Sequence, residues 1–184
     1  RHFLNELRAR LHPRDRYNTK APIRLSRMEL EDLRLWRDLL RRANDGISIN
    51  LLTVRNPTVL GFSDSCPFGL GGYLLSGRAW RILIPPDSPI FGLDEANNAL
   101  ELLGMGINVL LMIHDKGDEE FPCLLALGDN TSAIAWLFRS SRVPKDSIYY
   151  ETVKFIARTI ARAATESQCQ LVAQHFPGVY NIVA

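Results

Sequence analysis

The chain has 184 residues, 46% hydrophobic and 23% charged, enough apolar material for a real core and against disorder as the default. No apolar run approaches the roughly 20 residues of a membrane helix, because Gly, Asp or Pro breaks the longest candidates. Three widely spaced cysteines, Cys66, Cys123 and Cys169, form neither a disulfide framework nor a zinc pattern and read as thiols of a reducing compartment.

The net charge of +2 conceals an asymmetry. Residues 1–42 hold 12 Lys+Arg against 6 Asp+Glu, whereas residues 43–184 hold 10 against 14. A basic leader suits a polyanion partner, although a solvated helix face gives the same count. In the acidic part, nucleic acid could bind only if something such as divalent cations offset the carboxylates. The opening residues Arg1-His2-Phe3-Leu4-Asn5-Glu6 have no signal-peptide character, and the missing initiator Met points to a piece of something longer.

In chain order, residues 1–11 read as a short helix ending near Pro13, and residues 14–21 as a polar loop. Ser26 with Glu29 is a capping-box signature, followed by Leu30, Leu33, Leu35, Trp36, Leu39 and Leu40 at helical spacing. Asn44-Asp45-Gly46 is the stop. Thr58 to Ser63 then reads as a buried strand leading into Asp64, with Gly69–Leu75 and Ala79–Ile84 as second and third strands. Their short connections predict an antiparallel meander. Asp94–Ile113 reads as a long apolar helix, weakened by Gly104 and Gly106 in its second half. Phe121–Leu127 is a fourth strand, Thr131–Phe138 a short helix, Ser147–Glu166 a longer one and Cys169–Phe176 a fifth strand. The order β-β-β-α-β-α-α-β implies an α/β fold: a five-stranded mixed sheet flanked by helices, behind an N-terminal helical segment.

Three acids stand out in this scheme. Asp64 closes the first strand and Asp129 the fourth, so parallel pairing of those strands brings both carboxylates to one sheet edge, where α/β folds keep their sites. Glu101 sits among Ala99, Leu100, Leu102 and Leu103, and a carboxylate buried there needs a partner, a proton or a metal. Singly, Asp64 reads equally as a turn residue, Asp129 as a helix-capping partner and Glu101 as a surface glutamate. Jointly, they suit an all-oxygen site for Mg²⁺ or Mn²⁺. Two such ions about 3.5–4 Å apart activate water and stabilise the leaving oxygen in phosphodiester cleavage.

The motifs around these acids resemble the ribonuclease H domain attached to retrotransposon reverse transcriptases of the long-terminal-repeat and related classes. Phe62-Ser63-Asp64-Ser65 with Gly69-Leu70-Gly71-Gly72 resembles the family's Thr-Asp-Ala-Ser strand and its glycine-rich second strand, and Trp80 falls where many members carry a tryptophan. Asn98-Ala99-Leu100-Glu101-Leu102 is similar to its Asn-x-Leu-Glu-Leu helix, and Asp129-Asn130-Thr131-Ser132-Ala133 to its Asp-Asn-x-x-Ala motif. Residues 175–184, His175-Phe176-Pro177-Gly178-Val179-Tyr180-Asn181-Ile182-Val183-Ala184, resemble the His-x-Pro-Gly-x-x-Asn-x-x-Ala stretch that precedes a fourth acid. The pattern would place that acid directly after Ala184. The resemblance thus implies a domain spanning residues 57–184 that stops before its last helix, with three of four ligands and weakened activity.

The resemblance implies cleavage of the RNA strand of an RNA–DNA hybrid. Asp64, Glu101 and Asp129 would hold two Mg²⁺ ions, with Mn²⁺ as substitute. Residues 1–50 look more loosely like a thumb or connection segment, which would put the polymerase domain of the same polyprotein next to this one. An intracellular setting, cytoplasm or nucleus within a retroelement particle, follows, with no membrane partner. Ser65, Gly69 and Gly71 could let the hybrid's backbone approach, or could serve strand packing. Asn130 and Ser132 could meet phosphate or sugar, with helix capping the alternative for Asn130. Arg139, Arg142 and Lys145 could grip phosphates. His175 could pass protons or help product leave, or could be structural. Readout should follow shape and 2′-hydroxyls rather than base edges. Two other possibilities are a non-catalytic connection-like copy of the fold, and an integrase or transposase relative using Glu151 or Glu166 as its last acid.

Overall fold

The computed structural model describes residues 24–46 and 55–181, with Leu7, Pro22 and Thr53. The expected helix over residues 1–11 (Leu7 apart), the loop at residues 14–21 and the last three residues of the His175–Ala184 motif lie outside the described residues.

Helix α1 spans Arg27–Ala43 and opens with the expected reciprocal cap. The Ser26 hydroxyl accepts from the Glu29 amide at 3.2 Å, and the Glu29 carboxylate accepts from the Ser26 amide at 2.6 Å. Arg41 and Arg42 in its last turn complement the helix dipole, and Gly46 takes the positive φ of +100° that turns the chain away. Leu30, Leu33, Trp36 and Leu40 stay substantially exposed. What α1 buries instead is Leu35 with the carboxylates of Glu29 and Asp32. Asp32 meets the Arg158 guanidinium, which also reaches Glu31 and the Met28 carbonyl.

The sheet has the order β3-β2-β1-β4-β5, from β1 (Val59–Cys66), β2 (Gly69–Leu74), β3 (Ala79–Leu83), β4 (Cys123–Gly128) and β5 (Gln170–His175). Strands β1, β2 and β3 form the antiparallel meander, and β4 and β5 add in parallel. This is the expected mixed sheet. One boundary differs in a way that matters: Asp64 lies inside β1, opposite Gly71, rather than closing it. The parallel ladder to β4 ends at Phe62↔Leu127, but the hairpin ladder to β2 continues to Cys66↔Gly69 and keeps the polar Ser63–Ser65 stretch extended. A sequence pattern that stops at the first polar residues misses pairing supplied by a neighbouring strand.

Helices α2 (Asn97–Asp115), α3 (Thr131–Phe138) and α4 (Tyr150–Glu166) complete the core. A 3₁₀ turn over Asp94–Ala96 precedes α2, so the α-helix itself starts three residues later than expected. Residues Asp94–Asp115 are long and apolar enough, by length and composition, to cross a membrane, which corrects the expectation that glycines break the run. The helix is used as a core element. Leu102, Met105, Val109 and Met112 are at most 1% exposed and pack with Leu74, Leu124 and Ala126 of the sheet and Val153 and Ile160 of α4. Each such side chain contributes about 1.5–3 kcal/mol of burial. Gly106 is where α4 comes close, since a Cβ there would stand 2.8 Å from Ile160 Cδ1.

Candidate metal centre

Parallel pairing of β1 with β4 decides where the acids go. Asp129 follows β4 directly, and the β1–β4 register, continued two residues past Phe62↔Leu127, sets Asp64 beside Asp129. Glu101, in the second turn of α2, comes down on the same edge over Ser65. One carboxylate oxygen from each of Asp64, Glu101 and Asp129 lies within 4.8 Å of the others. Neither Glu151 nor Glu166 joins the cluster; both are exposed on α4.

Glu101 is 2% exposed, which overturns its surface reading. Its Oε1 accepts from the Ser65 amide at 3.0 Å and the Ser65 hydroxyl at 2.9 Å. Its Oε2 is buried without a hydrogen-bond partner. Burial, opposed by the Ser65 hydroxyl and reinforced by the charges of Asp64 and Asp129, pushes the Glu101 carboxyl up to about 8. Burial, then Asp64, also raises the Asp129 carboxyl, with His175 pulling the other way. Left to itself, the cluster holds Glu101 protonated at neutral pH. A divalent cation changes that balance: the donors are hard carboxylate oxygens, one buried oxygen is unspoken for, and the mutual repulsion is what a cation relieves. The residues fit Mg²⁺ or Mn²⁺.

The other expected site residues divide. Ser65 is turned to Glu101, and its hydroxyl also lies 3.1 Å from Asn97 Oδ1, so it orients the acid. At Gly69 the strands run close, since a Cβ there would meet the Ile82 carbonyl at 2.8 Å. Gly71 lies between Asp64 and Arg81 across the meander. Asn130 caps α3, its Oδ1 accepting from the Ala133 amide at 2.9 Å, while its Nδ2 donates to Asn98 Oδ1 at 2.6 Å. Ser132 is half-buried in the first turn of α3. Arg139, Arg142 and Lys145 are exposed beyond the far end of α3, about 12 Å of helix from Asp129. His175 is exposed at the end of β5.

Three contacts were not foreseen. Asn97 and Asn98 tie the start of α2 to Ser65 and to the α3 cap, which fixes Glu101 relative to both strands. Gly178, after Pro177, stands so close to Asp129 that a Cβ would fall 2.5 Å from its Oδ2. The turn is held by the Phe176 amide on the Gly128 carbonyl at 2.9 Å and by Asn181 Nδ2 on the Ser63 carbonyl at 3.4 Å. In the sequence Pro177-Gly178 stood only as part of the motif resemblance; the fold shows which side chain it faces.

No protein-family model and no curated protein matches the chain. Among solved structures it is similar to a ribonuclease H1 from the halophilic archaeon Halobacterium salinarum, at 16% identity and a TM-score of 0.46 over 67% of this chain and 88% of that one. It is also similar to LC11-RNase H1 in complex with an RNA/DNA hybrid, at 17% identity and a TM-score of 0.49 over 69% and 91%.

Proposed function

We propose that this chain carries a divalent-metal-dependent ribonuclease H-type endonuclease domain that cuts the RNA strand of RNA–DNA hybrids as part of a retroelement reverse transcriptase. The observation that carries it is the convergence of Asp64, Glu101 and Asp129 from three separate elements, with a buried Glu101 oxygen left without a partner. The retroelement setting, the polymerase partner, the intracellular location and a thumb- or connection-like residues 1–50 rest on the motif resemblance.

Asp64, Glu101 and Asp129 would hold the ions, Mg²⁺ with Mn²⁺ as substitute. Bound there, they would supply an activated water and stabilise the leaving oxygen at phosphorus. Ser65 and Asn97 hold Glu101 in place, Asn98 and Asn130 fix the α2–α3 junction, and Gly178 leaves room for Asp129. His175, beside Asp129, is available to exchange protons with solvent.

The test is cleavage of an end-labelled RNA–DNA hybrid with Mg²⁺ or Mn²⁺, comparing the parent with Asp129→Asn. We expect the variant to lose about 10³-fold in rate, from several kcal/mol of transition-state charge stabilisation. Equal cutting by the two proteins would remove Asp129 from the mechanism. Failure to bind Mn²⁺, even by a chain extended past Ala184, would favour the non-catalytic connection-like copy.

A further inference from the structure

A hollow beside the acid cluster is left unused by it. Asp64, Gly71 and Arg81 stand in register on β1, β2 and β3. Opposed residues of antiparallel strands project from the same face, so a carboxylate and a guanidinium flank a position with no side chain. Two strand spacings make this trough about 9–10 Å wide. With Phe68, Ile82 and Leu83 it lines a hollow of about 290 Å³.

Its walls are unusual for a resting surface. Phe68 is 54% exposed and Leu83 71% exposed at its rim. Arg81 is exposed and has no ion-pair partner among the described residues; in particular it does not pair with Asp64 across the trough. An unpaired guanidinium matches the paired oxygens of a phosphate, and exposed apolar side chains next to it match a sugar and the face of a base. A phosphodiester strand offers both groups at every nucleotide.

We propose that this hollow is a nucleotide subsite in which Arg81 binds the phosphate next to the one cleaved, while Phe68 and Leu83 take the adjoining sugar and base. This rests on the nuclease reading above and extends it. The glycine at position 71 is then the floor over which the strand passes from the acids to Arg81.

The experiment compares the parent with Arg81→Ala and Arg81→Lys, all checked for unchanged melting. Hybrid affinity is measured by fluorescence anisotropy with metal chelated, over a NaCl series, and cleavage kinetics are measured with Mg²⁺. Loss of one bidentate phosphate contact should raise Kd and KM about tenfold in Arg81→Ala, with a much smaller change in kcat. The slope of log K against log salt should shrink by about 0.7–0.9. Arg81→Lys should restore the salt slope but only part of the affinity, because the ammonium lacks the fork. An Arg81→Ala chain with parental Kd, KM and salt slope overturns the subsite and leaves the nuclease reading standing. A chain extended past Ala184 that binds hybrid but does not cut defeats the nuclease reading, and the binding comparison still decides the subsite. A parent that does not bind hybrid overturns both.

Discussion

Helix α2 carries two buried polar side chains seven residues apart, Glu101 and Asn108, two turns along the same face. Asn108 is 1% exposed and has a partner on each polar atom: Trp80 Nε1 donates to its Oδ1 at 2.7 Å, and its Nδ2 donates to the Phe62 carbonyl at 2.6 Å. The sheet is cut back to admit it, since a Cβ on Gly72 would come within 2.9 Å of both Asn108 Oδ1 and Trp80 Nε1. Glu101 is just as buried, yet one oxygen has no partner and two further carboxylates face it. A buried polar group with a partner on each atom holds a fold together. One left incomplete among like charges costs stability, and it persists in a sequence when something outside the chain completes it.

The comparison is broken first at Glu101. Glu101→Gln keeps the shape and removes the charge, so cleavage should fall about 10³-fold while the metal-free chain holds or gains melting temperature. The pH dependence gives the sign. Glu101 titrates near 8 in the fold against a reference of 4.5. Between those values the folded chain keeps a proton the unfolded chain has lost, so raising pH through this window destabilises the metal-free fold, by about a few kcal/mol. Melting in EDTA should therefore drop from pH 5 to pH 8 in the parent and stay flatter in Glu101→Gln. Mn²⁺ should reverse the drop, with proton release seen by calorimetry in buffers of different ionisation heat. A parental slope in the variant would mean that Glu101 is not the group responsible.

Asn108→Ala should do the opposite. It leaves the Trp80 N–H without its acceptor and takes one of its donors from the Phe62 carbonyl, about 1–3 kcal/mol of stability. Chemical denaturation measures this, and below its melting range the variant should still cut hybrid at close to the parental rate. Loss of cleavage with stability unchanged would place Asn108 in the site rather than under it.

Much of this was legible in the sequence because it is local. The Ser26–Glu29 capping box, the stop at Gly46 and the Thr131–Phe138 helix depend on neighbours in the chain, and the meander on short connections. The three acids were legible only jointly, from their strand-end, helix and strand-end placement in chain order. What failed to show are pairings across distance. The extension of β1 past Asp64 is set by β2, and the continuity of α2 through Gly104 and Gly106 by the close approach of the sheet and α4. Asn108 with Trp80, Arg158 with Asp32, and Asn98 with Asn130 each join side chains from different elements. Residue types suggest that such groups need partners; only the fold says which.

Gly178 sharpens the comparison at its smallest scale, because it acts on the site through space alone. Its backbone is not in the left-handed region, so alanine is conformationally acceptable there, and the cost is the 2.5 Å approach to Asp129 Oδ2. Asp129 has a short side chain fixed at the end of β4, so it would have to turn its carboxylate away from Asp64 and Glu101. Gly178→Ala should then weaken Mn²⁺ binding and cleavage by about 10- to 100-fold, the scale on which a 1 Å misplacement acts, while melting moves little. In an Asp129→Ala background, where the colliding oxygens are gone, the same substitution should add almost nothing, since two changes acting through one contact are not additive. Parental Mn²⁺ affinity in Gly178→Ala would show that the turn gives way instead of the carboxylate, and that Asp129 is not held by its contact with residue 178.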